Sequence, residues 1–212
     1  MKSRPRNEEE LQKREAIGVI RASRFVRRYA KSHKPITVAS ICDIHREIFK
    51  DAWQEIAGVF RHENITITDS DHLPPHFSKV PLLMNEVEMR MSEYIQELEH
   101  SEGYVLDLND MSKERFEKIH HIFNFAAYLH HIITYVHPFR DGNGRTARLA
   151  GNLVLERYGL VGISIRIEKE NKNRYRNALA QIDKHEDYEP LLGLIIEGVI
   201  DRYEGVSNKF LK

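Results

Sequence analysis

Apolar residues recur at roughly helical spacing through most of the chain. Between Asn7 and Ser32, Leu11, Ile17, Ile20, Phe25, Val26 and Tyr29 alternate with charges, which predicts an amphipathic first helix over about 7–32. Asn7 can accept from the first unpartnered N–H groups, and Glu8, Glu9 and Glu10 suit the positive end of the helix dipole. Pro35 stops this helix, Thr37 can cap the next, and Ile41, Ile44, Ile48 and Phe49 give the second helix one apolar side. A short helical piece is expected over 53–56, ended by Gly58. Ser78 to Leu98 reads as helix, with Pro81 tolerable in its first turn. From Ser112 to Tyr135 apolar residues spread around much of the circumference, so this segment, about 36 Å long at 1.5 Å per residue, is predicted to be the buried central helix. Helices over about 143–158, stopped by Gly159, over 170–182 and over 188–203 complete a mostly α chain.

The helical period breaks in two places. In Val59 to Thr68 β-branched residues replace helix formers, so a small β-hairpin or ribbon is expected there, turning at Asp69, Ser70 and Asp71 into extended His72-Leu73-Pro74-Pro75. Ile163 to Ile167 reads as a short strand or extended connector, and a linker holds Ser101, Gly103, Asp107 and Asp110.

At 212 residues the chain is expected to form one domain that needs no metal or disulfide to bury a core. Lys plus Arg and Asp plus Glu both total 32, a balance that argues against nucleic acid or an acidic membrane as partner. Arg21, Arg24, Arg27, Arg28 and Lys31 are read as a solvated face. Cys42 is the only cysteine, the first residues form no apolar secretory segment, and Leu191 to Ile200 is too short to span a bilayer. A cytoplasmic protein is expected, unless a route not visible in the sequence exports it as an effector.

Chemistry concentrates in His137-Pro138-Phe139-Arg140-Asp141-Gly142-Asn143-Gly144-Arg145-Thr146-Ala147-Arg148, between two apolar-periodic segments. Gly142 and Gly144 let backbone approach a ligand closely, and the helix that starts after them offers unpartnered N–H groups to an anion. Arg145 and Arg148, three apart, present planar forks for phosphate oxygens. Asp141 can hold magnesium, and His137 can accept a proton near neutral pH. A plain turn between helices would need only one or two of these residues. His120, His121, His130 and His131 do not have zinc-site spacing, since adjacent helical residues point about 100° apart.

These residues fill every fixed position of H-x-F-x-[DE]-G-N-G-R-x-x-R, and the chain is identified by that signature as resembling the Fic family over roughly 41–182. The resemblance implies an all-α (mostly) Fic-type helical bundle with a small β-hairpin flap. It also implies a protein adenylyltransferase that moves AMP from ATP to a Ser, Thr or Tyr hydroxyl. On that reading His137 is the base, Asp141 holds Mg2+, and Gly142, Asn143, Gly144, Arg145, Arg148 and Tyr175 bind the nucleotide. Ile65, Thr66, Ile67, His72 and Leu73 form the flap that clamps the target by β-augmentation. Phe139 is expected to anchor the loop in the core. The alternatives are transfer of UMP, phosphocholine or phosphate, or a non-catalytic toxin and antitoxin module. Many relatives carry an inhibitory [ST]-x-x-x-E-[GN] helix. No run in this sequence fits it, so the expectation is activity without an activating mutation, or a blocking glutamate that comes from an antitoxin-like inhibitor as partner or from residues outside this sequence.

Overall fold

The computed structural model describes residues 4–5, 7–68, 70, 72–100, 112–163 and 169–210. Seven α-helices carry the fold among them: α1 (Glu8–Lys31), α2 (Val38–Phe49), α3 (Val80–His100), α4 (Lys113–Val136), α5 (Asn143–Arg157), α6 (Lys169–His185) and α7 (Glu189–Phe210). Local signals set their starts. The Asn7 side chain accepts from Glu9 N–H at 2.9 Å, Thr37 and Ser40 form a reciprocal capping box, and Ser112 accepts from Arg115 N–H. Single 3₁₀ turns occupy Gln54–Ile56 and Phe77–Lys79. Among the described residues no helix is long and apolar enough to cross a membrane.

Helix α4 lies at the centre, packed against α3, α5, α6 and α7, while α1 covers α2 and α5. Ile122, Phe125, Leu129 and Ile133 are fully buried, yet Phe116 is 53% exposed, so only the second half of α4 is the buried rod the pattern predicts. Helix α1 approaches α2 so closely at Gly18 that a Cβ there would fall 1.9 Å from the Ile48 carbonyl oxygen. Arg21 reinforces the contact by donating to Glu47 O at 3.0 and 2.7 Å and pairing with Asp51, so it is not part of a solvated face. From α5, Arg157 donates to Ala30 O at 2.9 Å, Tyr29 O at 3.2 Å and Lys34 O at 2.5 Å, tying the end of α1 to the bundle.

The hairpin expected over 59–68 is not formed. Among the described residues there is no strand, and 64–67 and 72–76 run as extended chain without a ladder. Pro74 and Pro75 have no N–H to donate, and side chains take the place of a facing strand. Arg61 donates to Glu63 O at 3.0 Å and Pro75 O at 2.5 Å, and Asn64 Oδ1 accepts from Phe77 N–H at 3.0 Å. Asp69 and Asp71 of the expected turn, the linker from Ser101 to Asp110, and residues 164–167 of the expected connector lie outside the described residues.

Candidate active site

Helix α4 runs directly into His137, which ends it in the left-handed region at φ 51°, ψ 56°. A non-glycine residue there stores roughly 1–3 kcal/mol that its surroundings must offset. Arg61 does this from the segment before the flap: its Nε donates to His137 O at 2.8 Å, Nη2 to Val136 O at 3.4 Å, and its backbone N–H to Pro138 O at 2.8 Å. The His137 Nδ1–H donates to Thr134 O at 3.0 Å, which leaves Nε2 as the nitrogen with a lone pair. Burial holds the imidazole pKa below its ordinary value, so the ring is neutral at pH 7.

The loop after His137 is folded by its own residues. Phe139 is fully buried, stacked on His45 at 3.9 Å between ring centroids. Asn143 is also buried, and its amide accepts from Phe139 N–H at 2.9 Å and donates to Phe139 O at 2.8 Å. The Asn143 side chain therefore closes the loop and is not turned toward a ligand. Gly142 has φ 75°, and a Cβ on it would sit 2.3 Å from Phe49 Cε2, so no other residue fits.

His45 escapes the sequence reading, although its place four residues after Ile41 puts it on the apolar stripe of α2, an odd position for a polar ring. Its Nε2–H donates to Asp141 O at 3.0 Å and its Nδ1 accepts from Gly58 N–H at 2.9 Å, so both nitrogens are used in the neutral form alone. Burial pushes His45 down to about 4, and burial beside Arg148 pushes His130 down to about 3. In the unfolded chain both protonate near pH 6.5, so below that value the unfolded state binds more protons and stability falls as pH falls. The loss should amount to about 1.4 kcal/mol per pH unit for each histidine across the window between the unfolded and folded values. Urea unfolding at pH 7 and pH 5.5 checks this, and equal stabilities would contradict it.

The two signature arginines take different roles. Arg145 donates through Nη1 to Glu15 Oε2 at 2.6 Å and through Nη2 to Asp141 Oδ1 at 3.1 Å, with its guanidinium 5.0 Å above the Phe49 ring. Arg148 is largely buried and, among the described residues, has no carboxylate partner; burial lowers its pKa. It bonds the Tyr175 hydroxyl, which in turn lies 2.8 Å from His130 Nε2. A Cβ on Gly144 would lie 3.6 Å from Arg148 Nη1, so the guanidinium reaches up to the opening of α5. Gly142 provides no side-chain cap there, and the first N–H groups of α5 have no partner among the described residues. A largely buried cation with no carboxylate partner among the described residues, at an uncapped helix start, suits an anion.

A cavity of about 670 Å³ opens beside Gly144 and Tyr175, the two residues that adjoin this cation, while Arg148 itself lines a smaller cavity with His130, Gly151 and Asn152. Ile67, His72, Leu73, His137, Gly144 and Tyr175 all line the larger cavity, so the structure brings these expected residues together. Its far wall holds a group the sequence reading missed: His131 Nε2 lies 2.8 Å from Asp183 Oδ1, beside His72, whose Nε2–H donates to Tyr135 O at 2.8 Å. Adjacent His130 and His131 thus serve different partners on α6. Ile65, Thr66 and Asp141 line an open groove of about 610 Å³ together with Trp53, Glu63 and Arg140.

The model of the Fic/DOC family matches residues 35–155, which include α2, the extended segment, α4 and the whole signature loop. The chain belongs to the Fic/DOC family. A relative named protein adenylyltransferase Fic from Nematostella vectensis is 30% identical over 197 residues, covering 91% of this chain and 40% of that protein. One of the same name from Aedes aegypti is 28% identical over 162 residues, covering 76% of this chain and 27% of that protein. The chain spans less than half the length of these Fic relatives. Among solved structures, Fic-1 from C. elegans has a TM-score of 0.66 at 24% identity over 92% of this chain and 52% of that one. BepC from Bartonella tribocorum, a VirB-translocated Bartonella effector solved with bound AMPPNP, has a TM-score of 0.63 at 16% identity, covering 92% and 88%. These structural likenesses show the Fic fold.

Proposed function

We propose that the chain is a protein adenylyltransferase that moves AMP from ATP to a Ser, Thr or Tyr hydroxyl of a protein and releases diphosphate. One observation carries the reading. A neutral histidine with an available Nε2 lines one cavity with Gly144 and Tyr175, and the largely buried Arg148 guanidinium, which has no carboxylate partner among the described residues, adjoins both of these at the start of α5. Relatives of that name and a fold neighbour solved with AMPPNP support it.

In this reading the nucleoside occupies the cavity between the extended segment and α6, and the phosphates lie over the opening of α5 against Arg148. His137 Nε2 takes the proton of the target hydroxyl, and the hydroxyl oxygen bonds to the α-phosphorus. The bond from that phosphorus to the diphosphate oxygen breaks, and the charge that develops meets the N–H groups of residues 143–145 and Arg148, already oriented. Asp141 fits a magnesium ion: Oδ1 accepts from Gly142 N–H and Arg145, and Oδ2 accepts from none of the described residues. Such an ion takes one or two carboxylates, completes its shell with phosphate and water oxygens, and would neutralise phosphate charge. The target enters from the open groove, where exposed Thr66 and the backbone of 64–66, unpaired among the described residues, offer an edge for a peptide strand. Any glutamate that blocks Arg148 would come from an antitoxin-like partner or from residues outside this sequence, because no run here fits the inhibitory pattern. Burial pushes the Cys42 thiol up to about 11, so it is an unreactive packing residue and not a nucleophile of the site.

The test uses the chain, a lysate and nucleotides labelled at the α- or γ-phosphate. Label on protein from α-labelled ATP and none from γ-labelled ATP is expected, without any activating substitution. γ-Label on protein would show a phosphotransferase, preference for α-labelled UTP a uridylyltransferase, and no label from any source an interaction module.

The pH profile adds a second check. Because burial lowers the His137 pKa, the base is already unprotonated at its ordinary value, so the acidic limb of kcat/KM should fall below about pH 6.5. A limb centred above that value would contradict the assignment.

A further inference from the structure

The second carboxylate on Arg145 comes from a distant part of the chain. Glu15 lies on α1, outside the segment that the family model matches, 130 residues before Arg145. Its side chain is 13% exposed and that of Arg145 25%, so this is a mostly buried ion pair. The same guanidinium makes one bond to Asp141 Oδ1, and Phe49 backs it from below. Helix α1 cannot shift to relax the pair, because Gly18 abuts the Ile48 backbone one turn further on and Arg21 grips Glu47 O.

We propose that Glu15 is a positioning residue for the nucleotide site, acting through Arg145 to keep the Asp141 carboxylate open to a cation. The inference rests on the adenylyltransferase reading above. A guanidinium prefers a planar bidentate pair with a carboxylate. With Glu15 absent, Asp141 is the carboxylate that Arg145 already touches, and the fork closes on both of its oxygens. Oδ2, the oxygen that accepts from none of the described residues, is then consumed. With Glu15 present, the charge of Arg145 is matched from α1, and its hold on Asp141 stays at the single bond to Oδ1, the oxygen that also caps Gly142 N–H. In this arrangement Arg145 is a strut between α1 and the loop, and the phosphates are left to Arg148.

The test is calorimetric titration of ATP into the wild-type chain, Glu15→Ala, Glu15→Gln and the double variant Glu15→Ala/Arg145→Ala, across a Mg2+ series and in EDTA, with thermal melting alongside. Removing a group that orients a metal ligand typically costs 10–100-fold in metal affinity. Glu15→Ala should therefore raise the Mg2+ concentration for half-maximal ATP binding about tenfold or more, with affinity in EDTA unchanged. Glu15→Gln, which keeps an acceptor, should shift it less, and it serves as the test if the alanine variant does not fold. The double variant should return toward wild type, since the arm that closes on Asp141 is gone. A Mg2+ requirement that stays at the wild-type value in Glu15→Gln and Glu15→Ala while melting temperature falls would overturn the proposal and leave Glu15 a structural pair. A double variant worse than Glu15→Ala would also overturn it, by showing Arg145 on the phosphates. Failure of the wild-type chain to bind ATP with Mg2+ would instead remove the adenylyltransferase reading, and the proposal with it.

Discussion

Replacement of His137 by alanine is expected to lower AMP transfer by about 10²- to 10⁴-fold while ATP affinity stays near wild type. The reason lies in where the ring is held. Its Nδ1–H is fixed to Thr134 O at the cavity wall, which leaves Nε2, on the proposed reading, to accept the proton of the target hydroxyl with no contact to the phosphates required. On the proposed reading Arg148 and the start of α5 bind the nucleotide, and the substitution leaves both in place. Loss of the imidazole also relieves no packing that the loop depends on, because Arg61 grips backbone carbonyls and Phe139 anchors the following turn. Single-turnover transfer with ATP titrated by calorimetry separates the two effects. Transfer within about tenfold of wild type, below the usual general-base contribution, would assign the base elsewhere, and loss of ATP binding would make His137 a binding group.

The second large effect is on stability and comes from Gly18. An alanine Cβ there would meet Ile48 O at 1.9 Å and Ile48 C at 2.7 Å, both backbone atoms that no rotamer change can move away. Helices α1 and α2 must separate by an ångström or more, which places Gly18→Ala at the severe end of overpacking, about 3 kcal/mol. For a chain of this size that corresponds to a fall in Tm of roughly 6–12 °C. The higher helix propensity of alanine, about 1 kcal/mol, offsets a minor part. Calorimetric melting reads the result, and an unchanged or raised Tm would show that the two helices are not in contact at this point.

Gly18 also shows what a single sequence hides. Read along the chain it is a residue that weakens a helix, and only the partner backbone explains it. Features written locally were legible: Asn7, Thr37 and Ser112 cap the helices that their positions indicate, and the signature loop carries its chemistry in consecutive residues. Features that depend on distant partners were not. Arg61 reads as part of a ribbon but anchors the left-handed turn at His137, 76 residues away. Glu15 is one charge among many on the amphipathic first helix and proves to be largely buried against Arg145. Asn143, from its residue type, reads as a ligand for phosphate, yet its amide is consumed within the loop. The hairpin failed for a reason the sequence already contained. β-Branched residues over 65–68 favour extended chain, but Pro74 and Pro75 deny the return arm its donors, so the segment is extended without becoming a strand.

The central claim is that one cavity places a nucleotide's α-phosphate at His137 and its terminal phosphates at Arg148 and the opening of α5. A crystal structure of the chain with AMPPNP and Mg2+ tests it most directly. The account predicts the nucleoside between the extended segment and α6, the terminal phosphate on the Arg148 guanidinium, and the α-phosphate opposite His137 Nε2 across a gap that a hydroxyl can enter. A nucleotide bound with its terminal phosphate at His137, or outside this cavity, would contradict it.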